Sequence, residues 1–449
     1  MMKINMDFRY GFKFILLVYI ISAIVGGYAL AIVGGISGGI GHRFNLDSHQ
    51  MSVLLGLVFL GGVFAKLVWL AADYIGRKAM IVIFVLMYVV ATYIFVEAET
   101  YNVLVFARLM QGAAILLCTY AFPVYMTEIA PPDKRGRYVA IFQLLWTTGM
   151  CLSGIMVFAF YQSFVWNQYL YATILIAFIL AGMSCFLPAS PTWLILKRRV
   201  HDAYEVIQKT QPNLTDEEIK KHIDDIRVSL RDHKPRSFLQ KLLIGKDIVP
   251  VMLVTLILIL NQLTGINFIV FSSGLIIAPL TSSLSVIHAT NFLLLGVNFG
   301  ATIITMFFID RWGRKRVLFL GLKIALASML GLVVVYSLHI MQYNYLIVIG
   351  LLTTCIAGLA FGPSGVIITL INEMLPNRVR IVGIFIAGMI SMLFSFYFIG
   401  YFLRVGENYS YSLMFLILFV SSSFYFWVVK RFIPETSGKT LEEIESSFD

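Results

Sequence analysis

The feature that most constrains this chain is a rhythm of twelve apolar runs, each about as long as a helix that crosses a bilayer. They cover roughly 12-36, 51-71, 79-97, 102-125, 138-160, 168-187, 249-276, 288-309, 316-338, 344-371, 381-403 and 410-429. Only 13% of the 449 residues are charged, about half the usual share in soluble domains, so the surface between the loops must face lipid rather than water. The expected fold is an all-α membrane protein with twelve transmembrane helices in two six-helix repeats. One long polar insertion, from Pro188 to Pro250, separates them, and its charges fall at helical spacing. The expected organisation is a first half over 1-187, a helical linker over 188-248, a second half over 249-430 and a tail over 431-449. The first run, from Gly11 to Gly35, is too long for a signal-peptide core and reads as a retained span.

The net charge of +10 comes from cations in alternate loops. Lys3, Arg9 and Lys13, then Arg77 and Lys78, then Lys134, Arg135 and Arg137, then the insertion, Arg311 to Arg316, Arg378 and Arg380, and finally Lys430, Arg431 and Lys439 fall on one side, whereas the other side holds little beyond Arg43 and Arg404. Positive loops stay in the cytoplasm, so both termini and the insertion are expected there. This distribution marks topology, and no nucleic-acid partner is expected. The triplets at Asn213 and Asn408 are expected to remain unglycosylated: one falls in the cytoplasmic insertion and the other against a helix end. Cys118, Cys151, Cys185 and Cys355 lie in apolar runs without metal spacing and read as packing residues.

An internal repeat carries the chemistry. Asp73-Tyr-Ile-Gly-Arg-Lys78 follows the second run and Asp310-Arg-Trp-Gly-Arg-Lys315 follows the eighth. Glu128, Pro131 and Arg135 after the fourth run match Glu373, Pro376 and Arg380 after the tenth. Parallel repeats of this kind build transporters around a midplane site. The carboxylates of Asp73, Glu128, Asp310 and Glu373, with Arg77, Arg135, Arg314 and Arg380, are candidates for a cytoplasmic latch that ties the halves together and separates when they rock. Plain positive-inside topology with capped helix ends is the simpler account of the same residues.

A neutral polar solute carried through the midplane would need amides and hydroxyls to replace the water its own hydroxyls lose. Gln143 in the fifth run, Asn261, Gln262 and Asn267 in the seventh and Asn298 in the eighth are the intramembrane amides that fit. Packing also uses such residues. Gly265 permits the helix to bend or unwind beside Asn267. Acids lie near span ends or in loops, and His288 and His339 sit at outer ends, so proton coupling has no obvious midplane carrier. No phosphate-cradling loop or catalytic cluster is apparent, and no enzyme activity, cofactor or metal is expected. Lys66, about two turns from the inner end of the second run, reads as a lysine that snorkels to the interface, with contact to an anionic substrate group as the alternative. Arg108 reads as structural, and Phe271 as part of an outer gate.

The chain resembles the sugar porters of the major facilitator superfamily, which include facilitative glucose and trehalose transporters. The resemblance rests on Asp73 to Lys78, Arg108 with Gly112, Pro123 to Pro131 with Arg135, Gln143 with Gly149, Pro188-Ala-Ser-Pro-Thr-Trp-Leu194, Gln262 to Asn267, Gly362-Pro363 with Glu373, and Pro434 to Ile444. It implies the major facilitator fold, hexose held at Gln143, Asn261, Gln262, Asn267 and Asn298, and a plasma-membrane location. Ala360, Ile368, Ser391 and Met392 depart from a family carboxylate, tryptophan, asparagine and tryptophan. Ala189 and Thr192 depart from a family glutamate and arginine, which weakens the implied inner latch. Gly26-Gly-Tyr-Ala29 stands where proton-coupled members carry an aspartate. The expected function is therefore facilitative uniport of a hexose, trehalose or polyol. A sensor, or a porter for another small neutral solute, is the alternative. The short segment after Lys430 and the short amino end favour transport over sensing. The partners expected are a small sugar or polyol and the bilayer, and a monomer suffices.

Overall fold

The computed structural model describes residues 11–131, 134–212, 214–232, 248–340, 344–375 and 379–435. Asn213, the amino end through Tyr10, Pro376 to Arg378 and the tail beyond Glu435 therefore lie outside the described residues.

Among the described residues, twelve helices are long and apolar enough to cross a membrane. The first six spans are Phe12–Gly35, Ser48–Trp69, Arg77–Val96, Tyr101–Ile129, Arg135–Phe160 and Trp166–Cys185. The last six are Ile248–Phe271, Leu284–Trp312, Arg314–Ser337, Tyr345–Met374, Val382–Asn408 and Tyr411–Phe432. The second span starts where a capping box can form: Asp47 accepts from the Gln50 backbone at 2.6 Å, and the Gln50 side chain accepts from Asp47 N–H at 3.1 Å. Ser410 caps the twelfth span in the simpler way, through Leu413 N–H at 3.0 Å. Phe178, Phe307 and Val420 are exposed on the outside of the bundle, as a lipid-facing surface requires.

The repeat seen in sequence is a repeat of packing. The first span packs on the fifth, and the seventh on the eleventh; the third packs on the fourth and sixth, and the ninth on the tenth and twelfth. The halves meet along two further seams, the second span on the eleventh and the fifth on the eighth. Short helices Pro191–Leu196, Val200–Thr210 and Asp216–Asp232 of the insertion form a small core of their own around Leu194, Ala203, Ile207 and Ile219. Tyr125 donates to Pro188 O and Gln211 to Ile129 O, which fastens the insertion to the fourth span.

Two local irregularities matter for function. The seventh span stops at Leu263 and restarts at Ile266, with Gly265 at φ +80°. The broken turn is re-satisfied by hydroxyls, since Thr264 donates to Asn261 O at 2.7 Å and Ser421 to Leu263 O at 2.8 Å. In the tenth span, Ala360–Ser364 widens into a π turn around Pro363. Thr305 of the eighth span donates to Phe361 O there, at 2.8 Å.

Candidate functional site

The basic loops gather at one end of the bundle, here the basic end, and each half carries one acid–base cluster there. In the first half, Arg77 holds Asp73 at 2.6 Å and Glu128 at 3.0 Å. Ser190, from the start of the insertion, also donates to Glu128. In the second half, Arg314 holds Asp310 at 3.2 Å and Glu373 at 2.9 Å. Glu435 adds a cap there, accepting from the Arg314 and Lys315 backbone N–H groups at 2.9 and 3.2 Å. Gly76 and Gly313, the shared glycine of the two motifs, have φ +95° and +84° with ψ near 150°, a region closed to other residues at ordinary cost. That explains why glycine precedes the arginine in both.

The expected latch is corrected on two points. These pairs join helices of the same half: Arg77 opens the third span and reaches Asp73 before it and Glu128 on the fourth, and Arg314 opens the ninth and reaches Asp310 on the eighth and Glu373 on the tenth. Arg135 and Arg380 bond carbonyls: Arg135 donates to Ala130 O at 3.3 Å and Arg380 to Leu375 O at 3.1 Å, each closing the turn before its own span. Arg135 also faces His222 of the insertion at 3.5 Å. Burial, and then Arg135, push the His222 imidazole below its ordinary value, while Asp225 opposes them.

Three polar side chains meet at the break in the seventh span. Asn267 donates to Gln262 Oε1 at 2.8 Å, and Gln262 Nε2 donates to Ser391 Oγ of the eleventh span at 3.1 Å. Asn261 is buried, with an Oδ1 that has no partner among the described residues. Asn298 is buried on the eighth span, and Gln143 is half-buried on the fifth; neither side chain is tied to this cluster. Sequence reasoning missed Ser391, which it took as a loss, and Asn291, whose amide donates to Ser273 at 2.9 Å with its Oδ1 unpartnered. A serine three residues past Gly388 carries no pattern that would flag it; only the fold puts it opposite Gln262. A recess of about 410 Å³ along Phe292, Gly296 and Gly300 of the eighth span is apolar and offers a sugar no partners.

The end opposite the basic loops is closed by contacts between the halves. Phe271 is buried with its backbone against Gly34 and its ring 6.1 Å from Phe59. Tyr161 meets His288 at 5.3 Å and His49 meets Tyr401 at 5.4 Å. Arg108 is fully buried and bonds Gln111 at 3.2 Å, as a structural residue does. The snorkelling expected of Lys66 is overturned: it is 4% exposed, and its Nζ points across the seam to Ile384 O and Phe385 O of the eleventh span, at 3.4 and 3.3 Å. The second span turns that face to its partner helix, not to the interface.

With two matched clusters at one end and an amide cluster at the break in the seventh span, the comparison with known proteins is direct. A family model described as "Sugar (and other) transporter" matches residues 14–448. The chain belongs to the sugar transporter family. The galactose-proton symporter of Escherichia coli (strain K12) is 27% identical to this sugar transporter over 440 residues, 95% of this chain and 92% of that protein. The glucose transporter GlcP of Staphylococcus epidermidis is 25% identical over 440 residues, 96% of each chain. The inward open xylose transporter XylE from E. coli superposes with a TM-score of 0.81 at 19% identity, over 98% of this chain and 100% of that one. The transporter therefore has the major facilitator fold, and its relatives are membrane transporters, not enzymes.

Proposed function

We propose that this transporter carries a small neutral sugar or polyol by alternating access, as a uniporter, with substrate held between two rigid halves spanning 1-187 and 249-430. The observation that carries the reading is the hydrogen-bonded set Asn267, Gln262 and Ser391 at a helix break beside the seam between the halves. These groups bond one another here and can exchange those partners for sugar hydroxyls at little cost. Asn261, Asn298 and Gln143 complete the proposed wall. The basic end is the cytoplasmic end by the distribution of Lys and Arg, which puts both termini inside the cell, at the plasma membrane. The clusters Asp73–Arg77–Glu128 and Asp310–Arg314–Glu373 then brace each half at its cytoplasmic edge, with Arg135 and Arg380 closing the adjacent turns.

Packing in the first span supports uniport. Gly26 lies under the Trp146 ring, and a Cβ at Gly27 would come within 1.9 Å of Trp146 O. A carboxylate at either place would force the first and fifth spans apart. The second half supports a substrate other than glucose: Ala360 is buried in the π turn, Ile368 is exposed and Met392 packs toward Gly62.

Uptake into liposomes by purified protein tests the reading, with radiolabelled glucose, fructose, trehalose and myo-inositol, with and without a pH gradient. Saturable entry of one of them, equal in both conditions, is expected. Accumulation driven by the gradient overturns uniport, and binding without entry turns the reading to a sensor.

A further inference from the structure

The seam between the second and eleventh spans is built from small and apolar groups along most of its length. From the far end inward, the His49 ring meets Tyr401, Val53 meets Gly400, Gly56 meets Phe396 and Gly62 meets Met392. One turn further, the seam reaches Lys66. A Cβ on Gly388 would lie 2.0 Å from Lys66 Nζ, so the ammonium occupies the space that the glycine leaves open. Tyr120 of the fourth span presents its ring face at 4.8 Å, and the Phe385 ring lies at 5.8 Å. Lys66 donates two hydrogen bonds from the first half to the second, to Ile384 O and Phe385 O.

These partners compensate the charge poorly. Nitrogen-to-oxygen hydrogen bonds are ordinarily about 2.7–3.2 Å long, whereas these are 3.4 and 3.3 Å. Both acceptors are backbone carbonyls of a helix and neither is a carboxylate. Removing an ion from water has a penalty that ring faces and long bonds offset only in part. The same ammonium regains water as soon as the seam parts at its depth.

We infer that Lys66 is the release point of this seam: a positioning residue whose buried charge keeps an otherwise apolar helix pair separable, so that the path to the basic end can open once per transport cycle. Without it, glycine, methionine and phenylalanine would close on one another with nothing to favour parting. Gly388 is the matching element, since only a residue without a side chain lets the ammonium enter and the seam close at all. The inference rests on the alternating-access reading above, and its test needs no sugar.

The test uses full-length protein in vesicles of a single orientation, with Cys118, Cys151, Cys185 and Cys355 replaced and Met392→Cys as the reporter just beyond Lys66. The rate at which a membrane-impermeant thiol reagent, applied at the basic end, modifies that cysteine reads opening of the seam. Lys66→Met keeps the shape and removes the charge, and is expected to slow modification about tenfold. Gly388→Ala pushes the ammonium out of its place, and is expected to speed modification by about as much. Opposite signs at one contact are not what general damage to the fold produces. Unchanged rates, or two shifts in the same direction, overturn the inference. Lys66→Leu carries the same expectation where the methionine variant yields no folded protein. Failure of sugar uptake in the parent protein would count against the substrate reading alone, because these rates are measured without substrate.

Discussion

The first and seventh spans hold equivalent places in the two halves, yet one runs unbroken from Phe12 to Gly35 and the other breaks at Gly265. The unbroken span packs Gly26 and Gly27 against Trp146 and buries a nearly all-apolar face. The broken one gathers Asn261, Gln262 and Asn267 around a left-handed residue and borrows hydroxyls from Thr264 and Ser421 to satisfy its backbone. A duplicated scaffold has thus taken two forms: the first span is a continuous apolar helix, and the seventh gathers polar side chains at a break. The π turn at Ala360–Ser364 fits this division, whereas the fourth span carries Pro123 inside an uninterrupted helix.

The strongest way to break that division is to remove one amide from each half. Gln262→Ala deletes the residue that joins Asn267 to Ser391 and leaves both without a partner they now have. Uptake should fall roughly 100-fold in kcat/KM, as expected when a site that bonds a hydroxyl loses its partner. Gln143→Ala, in the first half, should cost about tenfold or less. Equal losses in the two variants, measured at matched surface expression, would remove the asymmetry.

The clusters at the basic end sharpen the comparison from the other side, since there the halves are alike. Arg77→Ala leaves the Glu128 carboxylate, which is 13% exposed, with Ser190 alone, and should destabilise the protein by about 2–3 kcal/mol. Arg314→Ala affects Glu373, which is 24% exposed, and should cost about 1–2 kcal/mol because water reaches that carboxylate more easily. Thermal unfolding of the two variants in one detergent checks the order. Gly76→Ala and Gly313→Ala should each cost about 1–3 kcal/mol, and nearly the same amount, because both occupy the same backbone region. A large difference between the two glycines would mean that the repeat is one of sequence and not of mechanics.

Much of this architecture is legible in the sequence. Span number, the polar insertion and the paired Gly-Arg-Lys motifs follow from hydropathy and from a backbone geometry that only glycine tolerates. The break at Gly265 was readable because glycine beside an intramembrane asparagine is a costly choice without a use. The partners were not legible. Arg135 and Arg380 stand seven residues after a glutamate, and spacing alone cannot tell a carboxylate partner from the carbonyl five residues back. Ser391 and Lys66 were misjudged for a common reason: their meaning depends on which helix of the other repeat unit, or of the same half, they face, and periodicity within one helix says nothing about the neighbour's identity.

The smallest effect expected tests a difference outside the membrane. The first half is bound to the insertion through Tyr125, Gln211 and the contact of Arg135 with His222. Among the described residues, the second half has no histidine facing Arg380. At neutral pH the unprotonated His222 Nε2 can accept from the Arg135 guanidinium at 3.5 Å. Protonation removes that acceptor and sets two cations side by side. Since the folded state holds this imidazole below its ordinary value of 6.5, the docked helix binds fewer protons than the undocked chain. Its contribution is complete above about pH 6.5 and is lost as pH falls through the lower value of the docked state. Hydrogen exchange in the helix Asp216–Asp232 should therefore quicken by about two- to fivefold between pH 7.5 and 5.5 after correction for intrinsic rates, an effect below about 1 kcal/mol. His222→Gln keeps an acceptor without a titrating group and should flatten that response. A response that survives the substitution would place the sensitive group elsewhere and leave the two halves alike in their answer to acid.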